Sequence, residues 1–363
     1  MVTAARDARP VVVVSDAVGA GGAEVYLALL AEALGDQRAF VALIGARTGE
    51  RASDQLESAG ARVVRIGGLG RIPRPAALRR LVGALRALDP AVVHVNATDQ
   101  GDGLTAILAA RAVRRPLVVT VHLALDGRAA YHETLSGRSL RWADAVIAVS
   151  DGVAAHLTGL GVSATIVRNG VPVPAADPDA RRILGVDPGA LLVGGIGRLG
   201  EQKGWDVLCR AAPVLRERSP GAVVVIVGDG AQHSALQTLA DRHDVRLLGA
   251  RANAASLLHA FDVLAMPSRF EGLPLVAMEA LHAGVPIVGS DIAGVRDVVG
   301  DAGVLVSPED PAALGAALAG LAADRAARAD LGARGRARGA ARFTVQRMAQ
   351  ETAAVYDRLA DVN

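Results

Sequence analysis

Short Val- and Ile-rich runs alternate with stretches of helical period along almost the whole chain, and this alternation limits the fold more than any other feature. The runs at 11–15, 40–45, 62–66, 92–96, 117–122, 145–150 and 165–169 read as strands, and most of their residues are apolar. A strand without alternating polarity must be covered on both faces. Between them lie helical patterns, clearest at Leu78, Leu81, Leu85 and Leu88. Strand–helix alternation of this kind predicts an α/β fold, with parallel sheets covered by helices on both sides. Pro172, Pro174, Pro178 and Pro188 then interrupt the periodicity, and the pattern restarts at 191–197, 223–228, 245–249, 263–266, 287–290 and 304–306. A chain of 363 residues is long for one domain, and about 150 per domain predicts two. The expected division is a first domain over 1–172, a linker over 173–188, a second domain over 189–343 and a closing helix within 344–363.

Composition narrows the function. A net charge of +2 is too small to argue for nucleic acid as a partner, although basic residues still matter locally wherever an anion must be neutralised. The single Cys209 excludes an internal disulfide and a multi-cysteine zinc site, and fits a reducing, cytoplasmic setting. No stretch reaches the roughly 18 apolar residues of a membrane span, and the apolar start at 11–14 is too short for a signal core.

The most informative segment is Arg269-Phe270-Glu271-Gly272-Leu273-Pro274-Leu275-Val276-Ala277-Met278-Glu279. The strand at 263–266 ends in Pro267-Ser268, and residues from Leu275 onward suit a helix. Pro274 falls near the first turn, where a missing N–H costs nothing. The N–H groups of Gly272 and Leu273 would then point out of the helix start as an anion site. Glu271 and Glu279 bracket it. Carboxylates do not bind phosphate, so the pair is better suited to hydroxyl groups on either side of one. That reasoning predicts a ligand with a diphosphate between two sugars, a nucleotide sugar.

Two glutamates separated by seven residues around Gly-Leu-Pro resemble the signature of the family 4 retaining glycosyltransferases. The resemblance implies the GT-B fold: two Rossmann-like domains with parallel sheets facing a central cleft. The first domain would bind the acceptor and the second the nucleotide sugar, with the last helix packing back on the first domain. Glu271 would contact the donor sugar and Glu279 the nucleotide ribose. Arg198 and Lys203, in the loop after the strand at 191–197, would hold the diphosphate. A planar guanidinium fork and a compact ammonium suit that task. Gly228 and Arg251 match family loops near the nucleotide, and Gly21 and Gly22 match the first glycine loop. That loop reads Gly-x-Gly-Gly, not the dinucleotide pattern Gly-x-Gly-x-x-Gly. His122 resembles the family histidine that faces the donor sugar, whereas His94 reads as structural. Ser150 and Asn169-Gly170 fit the family pattern and equally fit a helix cap and a turn.

The expected catalytic set is therefore His122, Glu271, Arg198 and Lys203. UDP is favoured over GDP as the donor's nucleotide. No cofactor is expected, and no metal: the only Asp-x-Asp triplet is Asp177-Pro178-Asp179, in the Pro-rich segment. Family analogy implies front-face attack, with the leaving phosphate oxygen taking the acceptor's proton. The acceptor is a small molecule or glycan, and loops at 96–102 and 123–133 are the expected contacts. These carry Asn96, Asp99, Asp102, Asp126 and Glu133, an acidic set that would suit an amino sugar or aminocyclitol. Lipid-linked acceptors among relatives leave peripheral membrane contact open, and the oligomeric state is not specified. The alternatives are a nucleotide-sugar 2-epimerase on the same fold, an NAD-dependent oxidoreductase, which lacks its ribose acid after the second strand, and a non-catalytic sugar-nucleotide binding module.

Overall fold

In the computed structural model, which describes residues 9–16, 21–45, 49–70, 73–124 and 137–360, the chain divides into two α/β units. The first comprises Met1–Gly170 with Val345–Asn363, the second Val171–Thr344. The first unit holds a seven-stranded sheet in the order β3-β2-β1-β4-β5-β6-β7. Its strands are β1 (Val11–Ser15), β2 (Phe40–Gly45), β3 (Arg62–Ile66), β4 (Val92–Asp99), β5 (Leu117–Leu123), β6 (Ala145–Ala148) and β7 (Thr165–Ile166). The second unit holds a six-stranded sheet in the order β10-β9-β8-β11-β12-β13. These strands are β8 (Leu192–Ile196), β9 (Val223–Val227), β10 (Val245–Leu247), β11 (Val263–Met266), β12 (Ile287–Ser290) and β13 (Gly303–Val306). Each pairing found is parallel, as between β1 and β4 and between β8 and β11.

Every expected strand is present, and the differences lie at the ends. The run at 145–150 stops at Ala148 because Ser150 turns out of the ladder to cap the next helix. Its Oγ accepts the Val153 N–H at 3.2 Å. β4 continues past Asn96 to Asp99, because β5 runs alongside it as far as the Asp99–Leu123 pair. The segment 173–188 corrects the reading of a linker. It contains the short helix Ala180–Ile183 and buries Ala180, Leu184 and Val186. Arg181 pairs there with Asp262 at 3.0 Å, and the same Asp262 oxygen accepts the Leu192 N–H at 2.8 Å. Prolines hide the periodicity of this segment without preventing its burial.

Both sheets place the point where strand order reverses next to a first strand: β1 against β4, and β8 against β11. In open parallel sheets, ligands bind beyond the carboxyl ends of strands at such a point. The loops carrying Gly21, Arg198 and Glu271 leave from these strands, and Asn96 lies within β4.

The helix Val345–Ala360 belongs to the first unit, where Met348, Val355 and Tyr356 join a core with Tyr26, Leu30, Val13 and Ile44. Tyr356 is fully buried, and its hydroxyl lies 2.6 Å from His94 Nδ1. The other ring nitrogen, Nε2, lies 2.8 Å from Thr120 Oγ1. Burial pushes His94 down to about 3, helped by the neighbouring His122, so the ring is neutral. His94 is thus a satisfied interior histidine that ties the last helix to the sheet. Tyr356→Phe leaves one nitrogen of a buried ring unpaired, which should destabilise the protein by about 1–3 kcal/mol in urea unfolding. Unchanged stability would show that the hydrogen bond contributes nothing to holding this helix.

Candidate functional site

In the second unit, β8 and β11 run side by side and each ends in a loop. The β8 loop passes through Arg198 into a single tight turn, Glu201–Lys203. The β11 loop passes through Ser268 to Glu271 and enters the helix Leu275–Ala283 at Pro274. Backbone joins them directly, since the Arg269 N–H donates to Gln202 O at 2.8 Å. Arg269 locks the junction from outside. Its guanidinium donates to Asp206 Oδ1 and Oδ2, each at 3.0 Å, and to Glu201 O at 2.7 Å. Glu309 closes the group at 2.6 Å from Arg269 Nε. Asp206 holds its proton less tightly than an ordinary carboxyl; burial opposes that shift, and the bonds from Arg269 and Arg210 prevail.

This frame holds Glu271. Its Oε1 accepts from Lys203 Nζ at 2.6 Å and from Ser268 Oγ at 2.9 Å, while Gln202 Nε2 reaches Oε2 at 3.3 Å. The Glu271 side chain is 7% exposed and Lys203 18%. Gln202 also donates to Phe270 O at 3.0 Å, and its Oε1 lies 3.5 Å from Arg198 Nη2. Arg198 itself is exposed, its backbone carbonyl held by Trp205 Nε1 at 3.0 Å. Arg198, Lys203 and Glu271 are therefore brought together. Lys203 spends one of its three donors on Glu271 and retains the others. Ser268 and Gln202 were not singled out from the sequence, where nothing links them to a glutamate more than sixty residues away in the case of Gln202.

Gly272 and Leu273 are buried immediately before the helix, and their N–H groups donate to no backbone carbonyl among the described residues. That is the arrangement of an anion site at a helix start. Glu279 lies one turn into the helix. Burial alone pushes its carboxyl up to about 7. Gly228 lies beyond β9, where its N–H donates to Gly249 O at 2.9 Å. A Cβ on Gly228 would stand 1.9 Å from Gly197 O, so glycine is required for these two loops to approach. Arg251 is exposed and makes a local contact, to Ala250 O at 3.4 Å.

A cavity of about 490 Å³ touches the same frame from another side. Glu201, Asp206, Arg210, Gln232, Arg242 and Arg269 are among its lining residues, and Arg198, Lys203, Glu271 and Glu279 are not.

In the first unit, Gly21 caps and Gly22 opens the helix Gly22–Leu34. The Gly21 N–H donates to Glu24 Oε2 at 2.9 Å. This amide is engaged at the start of its own helix; Gly19 and Ala20 lie outside the described residues. His122 is 9% exposed, and burial lowers it to about 3. Its Nε2 lies 2.7 Å from Asn96 Oδ1.

The expected acceptor residues change character. Asn96 is 1% exposed, Asp99 5% and Asp102 7%. Asn96 spends its amide on Ala23 O and His122, and Asp99 Oδ1 accepts the Gly101 N–H at 2.7 Å. Asp99 thus braces the turn after β4 and Asn96 ties β4 to its neighbours, and these buried side chains do not form an open acidic surface for an acceptor. Asp126 and Glu133 lie outside the described residues. Among the described residues, no group of three His, Cys, Asp or Glu side chains could hold a metal ion, and no helix is long and apolar enough to cross a membrane. Asp177 and Asp179 serve a local turn, with Asp179 paired to Arg182 at 3.1 Å.

Comparison with known proteins agrees with this architecture. Residues 20–173 match the model of Glycosyltransferase Family 4, and residues 190–324 match that of Glycosyl transferases group 1. The chain is 33% identical over 298 residues to glycogen synthase of Mycobacterium tuberculosis, covering 76% of this chain and 70% of that protein. It is 30% identical over 336 residues to phosphatidyl-myo-inositol mannosyltransferase of Mycolicibacterium smegmatis, covering 86% and 84%. Among solved structures, HepE of Anabaena in complex with UDP superposes with a TM-score of 0.83 at 22% identity, over 96% of this chain and 100% of the other. That likeness shows the two-sheet GT-B fold. With the relatives and both family matches, it establishes that the chain belongs to glycosyltransferase family 4.

Proposed function

We propose that this glycosyltransferase moves a hexosyl group from a UDP-sugar to an acceptor hydroxyl with retention of anomeric configuration, without a metal or any other cofactor. The observation that carries the reading is the bound state of Glu271. Lys203, Ser268 and Gln202 hold one carboxylate in one place, beside the two free N–H groups of Gly272 and Leu273. A fixed carboxylate orients sugar hydroxyls, and donors fixed beside it neutralise a departing diphosphate without reorganising. Arg198 and Lys203 would supply the cationic charge that a metal supplies elsewhere. Glu279, desolvated within the helix, would receive the ribose hydroxyls. His122, neutral, would orient a hydroxyl of the transferred sugar.

Retention would follow from front-face attack. The acceptor oxygen bonds to the anomeric carbon as the bond to the phosphate oxygen breaks. The acceptor's proton passes to that oxygen, which leaves with the diphosphate. The UDP preference is drawn from HepE, solved in complexes with UDP and UDP-glucose. The relatives are named for glycogen and for phosphatidyl-myo-inositol, and the acceptor proposed here is accordingly a hydroxyl of a small molecule, a glycan or a lipid-linked sugar. A cytoplasmic setting fits the single Cys209, which is buried and whose thiol is pushed up to about 11 by burial.

Thermal unfolding with chelator present tests the donor. UDP or a UDP-sugar at 100 times its Kd should stabilise the protein by about 2.7 kcal/mol. The product anomer, read by proton NMR, should match the donor's. A shift with NAD and none with a nucleoside diphosphate would sink the transferase reading, and an inverted product would sink retention.

Lys203→Met removes a diphosphate ligand and an anchor of Glu271 together. The expected loss in kcat/KM is about 100- to 1,000-fold, the usual effect of deleting one fixed donor to a developing anion. A change below threefold would remove Lys203 from the site.

Glu279 carries a signature in stability. Its carboxyl titrates near 7 in the folded protein against an ordinary 4.5, so the folded state binds more protons across that window. Stability then falls as pH rises from 4.5 to 7 and is flat above it. Glu279→Gln abolishes this contribution, and should reduce the loss of unfolding free energy between pH 5 and pH 8 by about 3 kcal/mol. Identical slopes for the two proteins would show that Glu279 is ionised and solvated.

A further inference from the structure

Asn96 joins two elements of the first unit, the helix Gly22–Leu34 and β5. Its Nδ2 donates to Ala23 O at 3.2 Å, in the first turn of the helix Gly22–Leu34. Its Oδ1 lies 2.7 Å from His122 Nε2 on β5. The amide has only one chemically allowed orientation, because reversing it would set Oδ1 against the Ala23 carbonyl, acceptor to acceptor. With Oδ1 facing the imidazole, Nε2 must carry the hydrogen. The ring is neutral, so its lone pair sits on Nδ1. Tyr26 meets the ring edge-on, with centroids 4.8 Å apart and planes at 70°, which fixes its tilt as well. Asn96, at 1% exposure, has no freedom to turn away.

We propose that Asn96 is a positioning residue for sugar transfer: it fixes the Nε2–H tautomer of His122 and so presents Nδ1 as an acceptor to a hydroxyl of the bound sugar. The hydroxyl's identity as part of the donor rests on the function proposed above; the tautomer does not. An Nδ1 lone pair accepts and cannot donate, so the position selects a hydroxyl or an amine and rejects an ether or carbonyl oxygen. Ala23 follows Gly21 and Gly22 directly, so the Asn96 amide also registers the glycine loop against the histidine.

The test is nitrogen NMR of the full-length protein labelled at histidine, with the His122 signals assigned by their loss in His122→Gln. The wild-type ring should show a protonated Nε2 and a bare Nδ1 at neutral pH. Asn96→Asp keeps an acceptor toward His122 while losing the donor to Ala23 O, and Nε2 should stay protonated. Asn96→Leu removes the acceptor; the Nδ1–H form should then appear, and kcat should fall about a hundredfold, as for a misaligned reacting group, with little change in the donor's KM. A wild-type ring protonated on Nδ1 overturns the proposal, as does an Asn96→Leu protein that keeps both the tautomer and kcat. If Asn96→Leu does not fold, the wild-type and Asn96→Asp spectra decide. A wild type with the expected tautomer but no transfer of any sugar counts against the transferase reading and leaves the tautomer assignment standing.

Discussion

The two loops of the second unit's candidate site depend on one largely buried ion pair, Lys203 with Glu271, which links the loops after β8 and β11. Removing both charges from water is costly, and their mutual attraction alone does not always offset it. Here the carboxylate has further donors in Ser268 and Gln202, so most of its capacity is met inside the protein. The pair also needs the two loops in register, and Arg269 supplies that through its grip on Asp206, Glu201 and Glu309. What the fold gains is less stability than position. A glutamate held in this way meets a sugar without first having to order itself.

The second glutamate is arranged in the opposite manner. Glu271 is surrounded by donors, whereas Glu279 is desolvated, with burial as the one cause of its raised pKa. A carboxyl in that state gains more from hydroxyl donors than one already satisfied, because a ligand that hydrogen-bonds its ionised form also relieves the burial penalty. One helix start therefore carries two carboxylates in opposite surroundings. Under the function proposed above, the first would be organised before the ligand arrives and the second completed by it.

The fold was readable in the sequence because doubly covered strands leave an unmistakable pattern, and runs such as 11–15 and 263–266 coincide with the observed β1 and β11. Strand ends were less readable, since the Ser150 cap and the length of β5, not local composition, decide where pairing stops. Glu271, Lys203 and Arg198 stood out because glycine-flanked charges after a buried run are hard to explain otherwise, and the structure brings them together. Gln202 and Ser268 carry no such mark; Ser268 reaches Glu271 through the turn of their shared loop, and only the pairing of β8 with β11 brings Gln202 there. Asn96 was misread for a related reason. A polar residue at a strand end looks exposed in one dimension, and its burial follows from the helix Gly22–Leu34 folding over it.

The two units use the same topological position for different electrostatic work. Beside the switch between β8 and β11 stand charges: Arg198, Lys203 and two carboxylates. Beside the switch between β1 and β4 stand a neutral His122, a neutral His94 and an amide. Burial enforces that neutrality, for an imidazolium at either position would have to overcome full desolvation. A neutral ring fixed in one tautomer discriminates by hydrogen-bond direction, accepting at one nitrogen and donating at the other. A diphosphate needs charge, and a sugar hydroxyl needs direction. Under the proposed function these demands would be divided between two sheets of like topology, according to which side chains each buries at its reversal of strand order.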